Sequence, residues 1–370
     1  MKMRGLLFHI LQCSLWRENL DFSISVKEFA EIIRLSEEQT VLGLVFDVLQ
    51  YKSVEGVGDR TNLFQIIGHY EKIKQQNIRI NQELTGFVKL CNDQQVDYII
   101  VKGQTIGCLY PKPELRQSGD IDFLIQSSPF VMQKFSRIFG ITIPELIEKE
   151  ISFKRNGITY ELHTRLIDFS CKRHQQVWEE LIAQEWILAV DGIITKKDGF
   201  SCYTEIADTK VRTLSPTMNA AYVFIHLFFH LIREGVSLRQ FCDWAMILHH
   251  YKDEIDRDRL LKILNDLDLF NAYCAFGSIL IDELALPVEE FPFTISDKNR
   301  NWKGKILDDI FRGGNFGKLN HNTHSAWKFK LETLRIVLRN IFRYYTLCPS
   351  EIGGMIPRLV GVNLKLLLAK

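Results

Sequence analysis

Apolar residues recur at helical intervals through the first hundred positions of the chain. From about Thr61 to Cys91 they are three or four residues apart, between charged and amide side chains, which predicts a long amphipathic helix. The capping-box spacing of Ser36 and Gln39 marks the start of another apolar helical run. The pattern therefore predicts a helical N-terminal subdomain over residues 1–94.

The period of the apolar positions then changes from helical to strand-like. Residues 96–101 are rich in β-branched and aromatic side chains and are followed by Gly103, where a glycine permits a tight turn. A short helix, closed by two prolines, leads to a second strand at Asp120–Ile125. The Asn-Gly pair at 156–157 predicts a hairpin whose second strand is Ile158–His163.

Helical periodicity returns after Pro216. Four successive helices are predicted up to residue 284, and a basic amphipathic helix follows at Lys328–Tyr345. We expect the basic residues of that helix to form a solvated face, the alternative being contact with a phosphate backbone. A second hairpin is predicted around residues 190–200, and a last helix at Val360–Leu368.

The order of these patterns predicts the fold class. A block of strands stands between two blocks of helices, without a repeat or a low-complexity linker. We therefore expect an α+β fold in which a small mixed β-sheet core over residues 95–215 is flanked by helical subdomains at 1–94 and 216–370.

Composition and charge narrow the class of partner. Lys and Arg number 46 against 45 Asp and Glu, a net charge of +1, so no global field favours a long nucleic acid or an anionic membrane. The eight cysteines include no CxxC pair, which is typical of reduced, structural thiols. The most apolar segment, Met218–Ile232, is shorter than the roughly 20 residues of a membrane span. A cytoplasmic protein is predicted.

Asp120 and Asp122 carry the clearest chemical pattern. Side chains alternate along a strand, so both carboxylates point to one face while Ile121 and Phe123 point to a core. Two carboxylates at close range destabilise each other unless a cation lies between them. Hard divalent ions prefer such oxygen ligands, which predicts a metal site at this strand.

Glu161 is a further acidic residue on the second strand of the predicted hairpin. It is predicted to share a strand face with His163 and Arg165, and Asp168 is the alternative third carboxylate. Farther along, His226 and His230 share a helix face, but no glutamate stands at HExxH spacing, which argues against a zincin site. These two histidines are expected to be core or pocket-wall residues.

The order of these motifs resembles the nucleotidyltransferase superfamily of DNA polymerase β type. The matching segments are Lys102-Gly103-Gln104, Gly119-Asp120-Ile121-Asp122 and Tyr160-Glu161-Leu162-His163. With Tyr110-Pro111, Arg116 and the block from His230 to Asp243, the chain more closely resembles the uncharacterised bacterial nucleotidyltransferase family 5, from about residue 40 to 250. One departure is Gln104, which stands where the superfamily usually has a small Ser or Gly.

The resemblance implies a nucleotidyltransferase core and transfer of an NMP from an NTP to a hydroxyl acceptor on a small molecule, a protein or an RNA end. It implies two Mg²⁺ ions, with Mn²⁺ as the alternative, held by Asp120, Asp122 and Glu161. The nucleotide-binding residues that it implies are Lys102, Gly103, Gln104, Arg116, Gly119, His163, His230, Arg239 and Asp243. For Arg116 the alternative is a surface loop cation, and an i,i+4 pair is expected between Arg239 and Asp243.

A second class of function stays open at this point. The same fold could serve as a catalytically silent nucleotide-binding or partner-binding module, with a protein partner in a pair of the toxin–antitoxin type. The presence of both Asp120 and Asp122 favours the enzyme.

Overall fold

The computed structural model describes residues 2–18, 24–49, 60–126, 128–144, 150–187, 202–314 and 326–357, and the side chains of all of these except 60–66 and 326–331. The chain forms two compact units. Unit 1 comprises Met1–Glu37, Val41–Leu166 and Glu185–Pro216, and unit 2 comprises Glu38–Thr40, Ile167–Gln184 and Thr217–Lys370.

A six-stranded mixed sheet lies in unit 1. Its strands are β1 (Tyr98–Val101), β2 (Asp120–Ile125), β3 (Glu150–Arg155), β4 (Ile158–His163), β5 (Cys202–Ile206) and β6 (Thr209–Thr213). The order across the sheet is β3-β4-β2-β1-β6-β5. β2 runs parallel to β4 and β1 parallel to β6, whereas the other neighbours are antiparallel. The predicted hairpin at 156–157 is formed by β3 and β4.

The helices before the β3–β4 hairpin are α1 (Lys2–Trp16), α2 (Val26–Glu38), α3 (Leu42–Leu49), α4 (Arg60–Asp93), α5 (Gly103–Gly107) and α6 (Pro129–Phe139). The long helix α4 confirms the predicted amphipathic segment. Its buried residues Leu84 and Phe87 pack against the sheet, where the Phe87 and Phe123 ring centroids are 4.7 Å apart. Burying large aromatic and aliphatic side chains between a helix and a sheet supplies the main stabilisation of such a layer.

The remaining helices are α7 (Lys172–Glu185), α8 (Pro216–Arg233), α9 (Leu238–His250), α10 (Arg257–Asp266), α11 (Phe270–Asp282), α12 (Asp297–Arg300), α13 (Lys303–Gly313) and α14 (Ala326–Tyr344). Residues 349–357 are also helical. The four helices predicted after Pro216 are confirmed as α8 to α11. Phe224, Trp244 and Tyr273 form an aromatic cluster in unit 2, with centroids about 5 Å apart.

The α+β class with a small mixed sheet and helices at both ends is confirmed. The division into 1–94, 95–215 and 216–370 stays a prediction. The hairpin predicted around 190–200 and the helix predicted at Val360–Leu368 lie outside the described residues. Among the helices that the structure describes, none combines the length and apolar character that a membrane span requires.

Candidate active site

The register of β2 and β4 brings two acidic strands together. Asp122 pairs with Glu161, and Leu124 pairs with His163, in parallel orientation. Because side chains alternate along each strand, Asp120 and Asp122 share a face of the sheet with Glu161 and His163. The opposite face buries Ile121, Phe123 and Tyr160 in the core with α4. The core residues thus fix which way the carboxylates point.

Asp122 accepts two hydrogen bonds at one oxygen atom. The Nε2 atom of His163 lies 2.7 Å from Asp122 Oδ1, and the Nζ atom of Lys102 lies 3.0 Å from the same oxygen. Burial alone would raise the pKa of Asp122, but the charge of Lys102 and the hydrogen bond from His163 outweigh it and hold that pKa well below its usual range. Asp122 is therefore a buried, ionised carboxylate.

Glu161 lies beside this pair in an environment of excess negative charge. Burial, and then the charges of Asp122, Asp120 and Glu150, raise the pKa of Glu161 to about 7. Glu150 comes from the neighbouring strand β3, where it pairs with His163, and its Oε2 lies 3.6 Å from His163 Nδ1. Glu150 was not among the residues predicted for the site, although counting outward from the Asn-Gly turn places it opposite His163.

Three side chains of this cluster can hold a metal ion. Asp122, Glu161 and His163 each offer one ligand atom, and these three atoms lie within 4.8 Å of one another. Carboxylate oxygens suit Mg²⁺ and Mn²⁺, and the imidazole nitrogen is a ligand that transition metals accept. The donor set therefore fits a divalent cation. From the sequence, His163 could be a substrate contact or a hydrogen-bonding neighbour of the acids, and its bond to Asp122 fits the second role. The nucleotide contact of His163 and the ligand role of Asp120 stay predictions.

A strained turn precedes the site. Lys102 has φ 54° and Gly103 has φ 48°, both in the left-handed region. A side chain with a Cβ rarely adopts this conformation, so Lys102 is an outlier of the kind that clusters at functional sites. The Lys102 carbonyl accepts hydrogen bonds from the amide and the hydroxyl of Thr105, which close the first turn of α5. This turn directs the Lys102 ammonium to Asp122.

Gln104 is held by helix α4. Its buried side chain donates a hydrogen bond from Nε2 to the Asn81 Oδ1 atom. The position where the superfamily usually has a small residue therefore ties α5 to α4 in this chain. No local pattern could have indicated the contact with Asn81, because the two residues belong to different elements.

Arg116 is buried, so the alternative of a surface loop cation is wrong. Its Nη1 atom donates to the Ser118 hydroxyl at 2.6 Å, and its carbonyl accepts a hydrogen bond from Asn77 of α4 at 2.8 Å. These bonds fix the loop that enters β2. Gly119 is the last residue before β2, and a Cβ placed there would meet no atom within 4 Å.

Two predicted neighbours of Glu161 lie elsewhere. β4 ends at His163, so Arg165 is an exposed residue beyond the strand and does not share its face. Asp168 belongs to unit 2, where its carbonyl accepts a hydrogen bond from Arg233 at 2.7 Å. The direct pairing with Asp122 favours Glu161 over Asp168 as the third acid.

His230, Arg239 and Asp243 lie in unit 2. The Nε2 atom of His230 is 3.1 Å from that of His226, and its Nδ1 is 3.3 Å from a carboxylate oxygen of Glu234. Asp243 is buried, and Arg239 is half-buried. Their assignment to the nucleotide pocket stays a prediction.

Comparison with known proteins gives the family of this chain. Residues 25–281, more than half of the chain, match the family model described as uncharacterised nucleotidyltransferase. A search of curated proteins finds no match. Among solved structures, the chain is similar to the crystal structure of an antigenic nucleotidyltransferase-like protein from Paracoccidioides brasiliensis, with 13% identity, a TM-score of 0.31, and coverage of 56% of this chain and 92% of that one. On the family match, the chain belongs to the uncharacterised nucleotidyltransferases.

Proposed function

We propose that the chain is a divalent-metal-dependent nucleotidyltransferase that moves an NMP from an NTP to a hydroxyl acceptor. The observation that carries this proposal is the parallel pairing of Asp122 with Glu161, with Asp120 on the same face of β2. That pairing sets carboxylates of two strands side by side, as metal-assisted phosphoryl transfer requires. The family match supports the reaction class.

Asp122, Glu161 and His163 are the residues that would hold the metal, with Asp120 as a further ligand. When bound, Mg²⁺ or Mn²⁺ supplies positive charge for the phosphoryl oxygens and acidifies the acceptor hydroxyl. The carboxylates of Asp120, Asp122 and Glu150 act on the Glu161 carboxylate, and the Lys102 ammonium opposes them. The resulting negative charge favours a cation of charge +2.

The proposed transfer is a single displacement at the α-phosphorus of the NTP. The acceptor oxygen forms a bond to the α-phosphorus while the bond from that phosphorus to the bridging oxygen of the β-phosphate breaks. Pyrophosphate leaves with the electron pair of the broken bond. The hydroxyl proton passes to solvent water, because Glu161 is assigned to the metal and a bound divalent cation lowers the pKa of a carboxylate.

The phosphate side of the site is assigned to the turn before α5. Lys102 carries a flexible ammonium at this turn, and the Gly103 backbone lies beside it. A lysine is a mobile point charge that pairs readily with phosphate oxygens. The bond between Arg116 and Ser118 would hold the loop into β2 in position. A small-molecule or protein acceptor is the proposal that the near-neutral net charge supports.

Replacing both strand acids tests this function. We expect the double variant Asp120→Asn with Asp122→Asn to lose nucleotidyl transfer by at least about a hundredfold, since positioned charge is the main catalytic term. The protein is incubated with Mn²⁺, each of the four α-labelled NTPs and cell lysate, and the labelled species and pyrophosphate are measured. Metal-dependent NTP affinity is measured on the same samples.

The matched control is Asp93→Asn, which removes an exposed acid at the end of α4. It should behave as wild type in transfer and in binding. Metal-dependent NTP affinity that is unchanged in the double variant would contradict the proposal. Binding that depends on both acids, without pyrophosphate from any acceptor, would instead indicate the silent nucleotide-binding module.

A further inference from the structure

The Asp122 carboxylate is engaged by a cation of the chain itself. Lys102 Nζ lies 3.0 Å from Asp122 Oδ1, and the side chains are 17% and 6% exposed. An ion pair this shielded from water is only weakly screened. A divalent cation that binds to Asp122 must therefore share this oxygen with the ammonium or displace it.

Lys102 does not neutralise the site completely. Glu161 pairs in register with Asp122, Asp120 lies on the same face of β2, and Glu150 Oε2 lies 3.6 Å from His163 Nδ1, so the carboxylates described on this face outnumber the Lys102 ammonium. The site thus keeps enough negative charge to attract a second cation. Any ion that enters beside Lys102 meets a like charge, and this repulsion opposes its binding.

The position of Lys102 in the turn gives its ammonium an alternative partner. The backbone is held by the two hydrogen bonds from Thr105 and by the start of α5 at Gly103. The four-carbon stem can rotate without moving that backbone. A triphosphate bound at this turn, as assigned above, would offer oxygen atoms for the ammonium in place of Asp122.

We propose that Lys102 competes with the divalent metal for Asp122. The metal then binds together with the triphosphate, because the triphosphate oxygens replace Asp122 as the partner of the Lys102 ammonium. The inference rests on the proposed function, because its metal and triphosphate are those of the transfer reaction. Metal and triphosphate then bind with positive coupling, each raising the affinity for the other. Metal affinity without triphosphate is low, and Lys102 sets that limit.

Mn²⁺ binding by equilibrium dialysis tests this competition without requiring activity. The variants are Lys102→Met and Lys102→Gln, which remove the charge, and Lys102→Arg, which keeps it. Lys89→Met, at an exposed lysine on α4, is the control for loss of a positive charge elsewhere. Each protein is titrated with Mn²⁺ alone and with Mn²⁺ plus tripolyphosphate, a probe that does not depend on the base, and folding is checked by thermal unfolding.

We expect Mn²⁺ alone to bind the two neutral variants at least about tenfold more tightly than wild type, since removal of one nearby charge exceeds the 1.4 kcal/mol that a factor of ten requires. Tripolyphosphate should tighten Mn²⁺ binding in wild type and in Lys102→Arg, and much less in the neutral variants. Lys89→Met should match wild type.

Two other outcomes separate this inference from the proposed function. If the neutral, folded variants bind Mn²⁺ as wild type does, and wild type still binds it with tripolyphosphate, the competition is wrong while the metal site stands. If no protein binds Mn²⁺ under either condition, the metal site and the inference fail together.

Discussion

The Glu161 carboxylate destabilises the folded state when it is ionised and no cation is bound. Burial, followed by the charges of Asp122, Asp120 and Glu150, raises its pKa from 4.5 to about 7. The folded state therefore binds more protons than the unfolded chain between these two values. Its stability falls as the pH rises through this window, and the cost is complete above pH 7. A bound cation would offset this cost, which fits the proposed site.

The variant Glu161→Gln measures this cost directly. In EDTA at pH 8 we expect it to be more stable than wild type by about 1–2 kcal/mol, less than the shift would give in full because the side chain is partly exposed to water. The gain should shrink as the pH falls and vanish near pH 4. Urea unfolding at several pH values gives the free energies.

The control for this measurement is Glu205→Gln, an exposed glutamate on β5. It should leave the stability curve unchanged across the same range. The electrostatic account would be contradicted if Glu161→Gln were less stable than wild type at pH 8. It would also be contradicted if the difference in free energy of unfolding were the same at every pH.

The turn between β1 and α5 is the element that places the Lys102 ammonium against Asp122. Gly103 has φ 48°, whereas a Cβ placed there would lie 3.6 Å from the Asp120 carbonyl oxygen, an ordinary van der Waals contact. Strain at this position therefore comes from the backbone conformation and not from crowding. We expect Gly103→Ala to lower the free energy of unfolding by about 1 kcal/mol.

Thermal unfolding and Mn²⁺–tripolyphosphate affinity together test the turn. Gly103→Ala should weaken that affinity, because relief of the strained φ moves Lys102. Gly86→Ala, in the interior of α4 with open space around it, is the matched substitution and should be neutral or stabilising. If Gly103→Ala keeps both the stability and the affinity of wild type, the turn does not position Lys102.

Local patterns were sufficient for the strands β2, β3 and β4 but not for the pairing of β2 with β4, and they did not predict the β5–β6 hairpin or α7. The alternation around Asp120 and Asp122 and the Asn-Gly turn predict β2, β3 and β4, because both depend on neighbouring residues only. The parallel contact of β2 with β4 depends on residues about forty positions apart, so only the resemblance suggested Glu161 as a partner. The face assigned to Arg165 is wrong because β4 ends two residues earlier.

Burial of polar residues was the least predictable feature. Arg116 lies in a loop by sequence, yet it is buried by contacts with Ser118 and with Asn77 of α4. The Gln104 amide likewise depends on Asn81, more than twenty residues away. Such contacts are tertiary, and hydrophobic periodicity contains no information about them.

At the scale of the whole molecule, the two faces of the sheet in unit 1 have different roles. One face packs against α4 and α6 through a continuous apolar cluster that includes Phe87, Phe123 and Phe135. The other face carries the acids of β2 and β4. The packing of the core fixes the register of β2 and β4, and the register fixes the distance between the carboxylates. The site therefore depends on core residues on the opposite face of the sheet.

The balance of charge over the chain predicts how the protein treats long polyanions. With 46 basic and 45 acidic residues, affinity for phosphate should come from the local site and not from a general field. A fluorescent single-stranded RNA should therefore bind no more tightly than about 10⁻⁴ M at physiological salt, with little change in affinity between 50 and 200 mM. Mn²⁺–tripolyphosphate binding in the same buffers should persist, since it uses Lys102 and the acids around Asp122. A steep salt dependence, equivalent to several phosphate contacts, would contradict this expectation and favour an RNA end as the acceptor.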